Sequence, residues 1–192
     1  MGILEKPIAL EPGVGGCSIG VSALQPADII VSTTKATVSG VIRVGTNSVV
    51  SHTALYAGNS EVIEAIGQGV VDRAIDDSLE DDVLAVVYRS PDLPGSMASA
   101  IVQYAAGKVG TPYSVAGALL SSDKIACRVA GPRPGSFFCS QLVIDSYANG
   151  GRPLTGVPAQ CVTPNDVVTI AAHNTPVPGA LPLDDTVTIA PG

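Results

Sequence analysis

Apolar residues recur along this chain with two periods, and each period predicts elements. The β-branched run Ile29-Ile30-Val31, introduced by Gln25-Pro26, predicts a strand from Asp28 to Ser32. Residues 33 to 50 are mixed and suggest a short helix near Val38 to Val44, then a loop. The most readable unit is a hairpin, with His52 to Ala57 and Glu61 to Ile66 as strands joined by Gly58-Asn59-Ser60. With those three residues in the turn, Ala57 is expected to pair with Glu61 and Ala54 to face Glu64. His52 then lies diagonal to Glu64 on one sheet face, within reach of long side chains. A further strand is predicted over Val83 to Tyr88. The acidic residues before it, Asp76, Asp77, Glu80, Asp81 and Asp82, read as a solvated short helix or turn and lack the central Gly of a calcium loop.

Helical spacing takes over in the second half. Met97, Ile101, Ala105 and Val109 recur at four-residue intervals, which predicts a helix over 96–109 capped by Ser96 and packed on the sheet. After Thr111-Pro112-Tyr113 and a stretch of small residues, the Pro/Gly loop from Gly131 to Gly135 leads into Ser136-Phe137-Phe138-Cys139. Leu142, Val143 and Tyr147 then keep helical spacing until Asn149-Gly150-Gly151, so Cys139 falls in the first turn of a helix. Thr163 as cap, Pro164 in the first helical position and Asp166 in the third, ahead of Val167 to Ala172, announce a last short helix. These elements make an α+β fold with a mainly antiparallel sheet or small barrel packed against helices. There is no internal repeat, and the 192 residues suit one domain over 25–172, between an N-terminal segment 1–24 and a Pro-rich tail 173–192.

Charge narrows the partners. Acidic residues outnumber basic ones 17 to 10, for a net charge of -7, and no Lys/Arg run is present to neutralise phosphates, which argues against a nucleic acid partner. The longest apolar run, Val83 to Tyr88, is far below the ~20 residues of a transmembrane helix, so no transmembrane segment is expected. The N-terminus carries Glu5, Lys6, Pro7, Glu11 and Pro12 where a secretory signal needs a basic start and an apolar stretch. Val14-Gly15-Gly16-Cys17 has the look of a lipoprotein cleavage box without that stretch. The expectation is cytoplasmic synthesis, with export left to a machine that reads no signal peptide.

The four cysteines, at 17, 127, 139 and 161, show no CxxC and no paired His spacing, so neither a metal nor another cofactor is expected. Cys17, Cys127 and Cys161 read as buried filler or as disulfide partners, the latter mattering outside the cytoplasm. Cys139 differs, because free N–H groups and the macrodipole at a helix start favour thiolate over thiol. A thiol hydrolase also needs a histidine as base and acid, and there are two. His52 opens a strand and can project from a sheet edge, whereas His173 ends a short helix as a cation near its C-terminus. Glu64 interrupts an apolar strand, so its carboxylate carries a desolvation cost that a partner should offset. A carboxylate on His52 would fix the tautomer and orientation of the ring.

The ordered motifs Asp28-Ile29-Ile30, Ser51-His52-Thr53-Ala54-Leu55-Tyr56-Ala57-Gly58, Val62-Ile63-Glu64-Ala65, Gly110-Thr111-Pro112-Tyr113, Phe138-Cys139-Ser140-Gln141-Leu142-Val143 and Thr163-Pro164-Asn165-Asp166 resemble the circularly permuted NlpC/P60 proteins. Within these they look like the YaeF/YiiX-type branch of papain-like thiol hydrolases, in which the histidine strand precedes the cysteine helix. The resemblance covers roughly residues 25 to 170. It implies Cys139 as nucleophile, His52 as base and Glu64 as orienter, with Tyr113 and Ser140 as candidate oxyanion or substrate contacts. The approach to the cysteine, Ser121 to Gly135, departs from the family pattern at the place where a substrate groove would be built.

The function implied is a cysteine hydrolase cleaving amide bonds, with a peptidoglycan stem peptide as the leading substrate and a lipid-linked acyl group as the alternative. An injected antibacterial effector with an immunity protein as partner is a further expectation. Two other classes stay open: an acyltransferase working through the same thioester, and a non-catalytic binding module on the same fold.

Overall fold

The β-branched run after Asp28 becomes a central strand. The computed structural model describes residues 20–34, 50–80, 82–131, 133, 135–172 and 176–180. Its strands are β1 (Ile29–Thr34), β2 (His52–Gly58), β3 (Glu61–Ile66), β4 (Gly69–Ala74), β5 (Asp82–Tyr88) and β6 (Pro176–Ala180). They form one sheet in the order β4-β3-β2-β1-β5-β6, with antiparallel neighbours throughout. The helices are α1 (Ile75–Leu79), α2 (Gly95–Ala106), α3 (Val115–Leu120), α4 (Ala126–Ala130), α5 (Cys139–Asn149) and α6 (Pro164–Ala172). This is the α+β arrangement expected.

Both faces of the sheet are covered, which explains why β3 and β5 read as near-continuous apolar runs rather than alternating ones. On one face Ile29, Val31, Leu55, Ile63 and Val86 pack with Ile101 of α2, Leu142, Val143 and Tyr147 of α5 and Val167 of α6. On the other, Ile30, Ala54, Tyr56, Val62 and Val87 pack with Leu24 and with Ile75 and Leu79 of α1. Each fully buried Ile, Leu or Val is worth about 1.5–3 kcal/mol relative to exposure, so this double layer fixes strand register. α5 is held at both ends: Ser140 Oγ donates to the Val162 carbonyl at 2.7 Å, and the Tyr147 hydroxyl donates to the Ala27 carbonyl at 2.5 Å. At its C-terminus Gly150 lies so close to α2 that a Cβ there would stand 2.3 Å from Ile101 Cγ1.

Several expectations need correction. Gly58, not Ala57, pairs with Glu61, because a bulge makes Ala57 an extra residue of β2; Ala54 does face Glu64. The helix predicted over 96–109 runs Gly95–Ala106 with Pro94 at its N-cap, so Ser96 lies inside the first turn and caps nothing. Of the acidic cluster, Asp76 and Asp77 open α1, but Asp82 is buried as the first residue of β5. The Pro-rich tail, set outside the domain by the sequence, contributes β6, an edge strand whose prolines suit an edge. The Thr163 cap holds: its Oγ1 accepts from the Asp166 N–H at 3.1 Å, and Asp166 Oδ2 accepts from the Thr163 N–H at 2.7 Å. Cys127 and Cys161 form a disulfide that ties α4 to the 3₁₀ turn Ala159–Cys161. Cys17, His173 and the helix expected near Val38 to Val44 lie outside the described residues.

Candidate active site

Cys139 is the first residue of α5, after an extended Phe138 whose side chain makes no cap. The first helical hydrogen bond runs from the Leu142 N–H to the Phe138 carbonyl at 3.0 Å, so the earlier N–H groups of this turn have no partner within the helix. The thiol is 2% exposed and is the one free cysteine among the described residues. His52 opens β2 at the end of the sheet, and α5 brings its N-terminus there from the face it covers. The thiol lies beside the His52 ring and the backbone N–H groups of Thr53 and Ser140, all of which act on it.

The second strand of the hairpin supplies the anion. In the register Ala54↔Glu64, the Glu64 side chain points to the face that carries His52, and Oε2 pairs with His52 Nε2. That leaves Nδ1 as the ring nitrogen for the thiol. Glu64 is fully buried, and its Oε1 accepts from Arg73 Nε of β4. Arg73 is a residue that sequence reasoning missed. The signal available was its place two residues beyond Val71, which is the β4 partner of Glu64. No strand was expected there.

The electrostatics follow from these contacts. Burial acts to raise the Cys139 thiol but is outweighed by the His52 hydrogen bond and charge, with help from the Thr53 and Ser140 N–H groups, so the thiol falls below its ordinary value. Burial likewise acts to lower His52, yet the Glu64 charge and the hydrogen bonds to Cys139 and Glu64 carry it well above. Burial would raise Glu64, and the opposing His52 and Arg73 charges bring its carboxyl down to about 2. The chemistry this supports is a thiolate beside an imidazolium, oriented by a carboxylate that a guanidinium secures.

Tyr113 comes to the same place. It bridges to Phe137, just ahead of the helix, and burial together with the neighbouring Cys139 keeps its hydroxyl protonated. Ser140 presents its N–H to the thiol, while its hydroxyl is engaged by the Val162 carbonyl. A small cleft lies beside this first turn, lined by Ser114, Gly117, Phe138, Gln141 and Arg133. The departing stretch Ser121 to Gly135 supplies part of its wall and contains α4.

This order of strand histidine, strand carboxylate and helix cysteine can be set beside known proteins. Residues 23–158 match the family model of the permuted papain-like amidases, YaeF/YiiX, C92. The chain belongs to this family. It is 26% identical over 173 residues to a "probable lipoprotein peptidase YaeF" of Escherichia coli K12, covering 76% of this chain and 63% of that protein. The chain thus spans less than two thirds of the length of that relative. The crystal structure of the metalloprotein YiiX of Escherichia coli O157:H7 superposes with a TM-score of 0.52 at 20% identity, over 82% of this chain and 87% of that one, and the two share a fold. Among the described residues no three His, Cys, Asp or Glu side chains converge as a metal site, and Glu64 already holds two cationic partners. No described helix is long and apolar enough to cross a membrane.

Proposed function

We propose that this C92-family protein is a cysteine hydrolase of amide bonds, with Cys139, His52 and Glu64 as its catalytic triad. The observation that carries the reading is the meeting of three buried groups, the Cys139 thiol beside the His52 ring and the His52 ring hydrogen-bonded to Glu64. The Cys139 thiolate attacks the substrate carbonyl. The N–H groups of the first turn of α5 and the Tyr113 hydroxyl steady the tetrahedral oxyanion. His52 gives its proton to the leaving amine, then takes one from the water that opens the thioester. Glu64 holds the ring in the productive orientation throughout.

The substrate we propose is a peptidoglycan stem peptide. The Cys127–Cys161 disulfide supports an oxidising site of action such as a periplasm, where that substrate lies. A second reading, a lipid-linked acyl group, draws on the exposed Val115, Leu119, Ile125 and Val129, which gather on α3, α4 and the link between them, just ahead of the cysteine helix. Mass spectrometry of products from purified peptidoglycan, with a phospholipid panel alongside and Cys139→Ala as control, separates the two. New amine termini in the peptide fraction that vanish with the variant support the amidase; released fatty acid supports the second reading; neither product overturns the hydrolase. Periplasm-directed expression that leaves growth and cell shape unchanged argues against a wall-cutting effector with an immunity partner.

A further inference from the structure

Strand β5 contains a bulge. Ser32 of β1 pairs with His52 on one side and Ala85 on the other, and Thr33 pairs with Leu84, but Thr34 pairs with Asp82. Val83 is therefore the extra residue. Without it the alternation of the strand would send Asp82 to the face opposite Ala85; with it, Asp82 shares the face of Ser32 and His52. Re-aiming one side chain beside a site is what bulges do. Asp82 is 7% exposed, and its Oδ2 has no hydrogen-bond partner. A buried carboxylate oxygen left unpaired is costly, so its location calls for a reason other than stability.

We propose that Asp82 is a positioning residue of the active site: a second buried carboxylate, turned to the His52 face by the bulge, whose negative charge favours the imidazolium that keeps Cys139 as thiolate. The proposal rests on the Cys139–His52 reading above. The groups that bear on Asp82 lie on the adjacent strand and on those beyond it: the Ser32 hydroxyl of β1 donates to it, and His52 of β2, Glu64 of β3 and Arg73 of β4 act on it through their charges. Burial, the largest influence, lifts its carboxyl to about 6 against the Ser32 hydrogen bond and the two cations. The interaction of two charges is mutual, so a His52 cation that favours the Asp82 anion is favoured by it in return. Glu64 divides its charge between His52 and Arg73, which leaves room for a second anion to act on the imidazole. Asp82 is thus expected to ionise near pH 6 and to strengthen the thiolate–imidazolium pair above that pH.

The test uses iodoacetamide, which needs no knowledge of the substrate. The alkylation rate of Cys139 in the full chain is followed against pH by mass spectrometry, and the His52 ring is titrated by NMR. In the wild type the thiolate signal should rise with an additional step near pH 6. Asp82→Asn should remove that step and lower the His52 midpoint by about one unit, a tenfold change in its proton affinity. Ser32→Ala, which takes away only the donated hydrogen bond, should move the step to higher pH and carries the test if Asp82→Asn does not fold. A merely structural Asp82 would change thermal stability and leave both midpoints in place, and that result overturns the proposal. A wild-type Cys139 with an ordinary thiol titration would instead overturn the triad reading itself.

Discussion

Arg73 Nε donates to Oε1 of Glu64, the carboxylate oxygen that His52 leaves free. Glu64 is fully buried, so the guanidinium fixes the plane of the carboxylate as well as its charge. Arg73→Met should therefore loosen the His52 ring and lower turnover by about 10–100-fold, an effect of the size seen when groups that orient ligands are lost. Arg73→Lys should restore part of it, since Lys supplies charge without the planar fork. Comparing kcat for the two variants on one substrate checks this.

Cys139→Ala should abolish turnover while the circular dichroism spectrum and melting curve stay close to wild type, because the change removes one sulfur at the end of α5. His52→Ala should leave the thiol present but return its alkylation profile to that of an ordinary buried thiol, since both the hydrogen bond and the charge that lower it are gone. Unchanged alkylation in the His52 variant would refute the pairing.

Glu64 and Asp82 should pull stability in opposite directions with pH. The Glu64 carboxyl goes from 4.5 to about 2 on folding, so its contribution is complete above 4.5 and is lost as pH falls through 2. Asp82 goes from 3.8 to about 6, so its protonated form stabilises the fold below 3.8 and that contribution is lost as pH rises through 6. Each shift is worth about 3 kcal/mol at most. Urea unfolding at pH 7 should find Glu64→Gln destabilised and Asp82→Asn stabilised, and at pH 3 both differences should shrink.

The Cys127–Cys161 bridge closes a loop over a sequence separation of 34. A loop of that length stabilises by about 3–4 kcal/mol in the chain-entropy picture. Reduction, or Cys127→Ser with Cys161→Ser, should lower the melting temperature. It should also free α4, leaving the segment just before it tied to the same turn by the Lys124 Nζ donation to the Cys161 carbonyl at 2.8 Å. Calorimetry with and without reductant measures the first effect, and hydrogen exchange across 121–135 the second.

Gly150→Ala places a methyl where Ile101 already stands, and that crossing joins the cysteine helix to α2. Because Ile101 is buried and its backbone nitrogen lies 2.9 Å from the added Cβ, the cost should be about 1–3 kcal/mol, read from urea unfolding.

The parts of this structure that could be read from sequence carry their own local signal. The hairpin of β2 and β3 announces itself by a polar turn between apolar runs, and that register alone brings His52 to Glu64. The start of α5 is marked by the end of a Pro/Gly loop, and the Thr163–Asp166 cap by its spacing. What could not be read depends on distant partners. β4 is short and mixed, with Asp72 and Arg73 in it, and becomes a strand because β3 offers it an edge. Asp82 looks like one more member of an acidic run until the bulge opposite Thr34 turns it inward. α3 and α4 are short and expose much of their apolar surface, so no amphipathic period marks them.

The disulfide brackets the nucleophile in the chain: Cys127 precedes Cys139, and Cys161 follows it. A protease that severed the backbone once between those brackets would leave two fragments still joined through sulfur, separating on a gel only after a reducing agent is added. Proteolytic damage between those two cysteines would therefore go unseen under non-reducing conditions, and a nicked molecule would keep its cysteine helix tethered to both of its pieces.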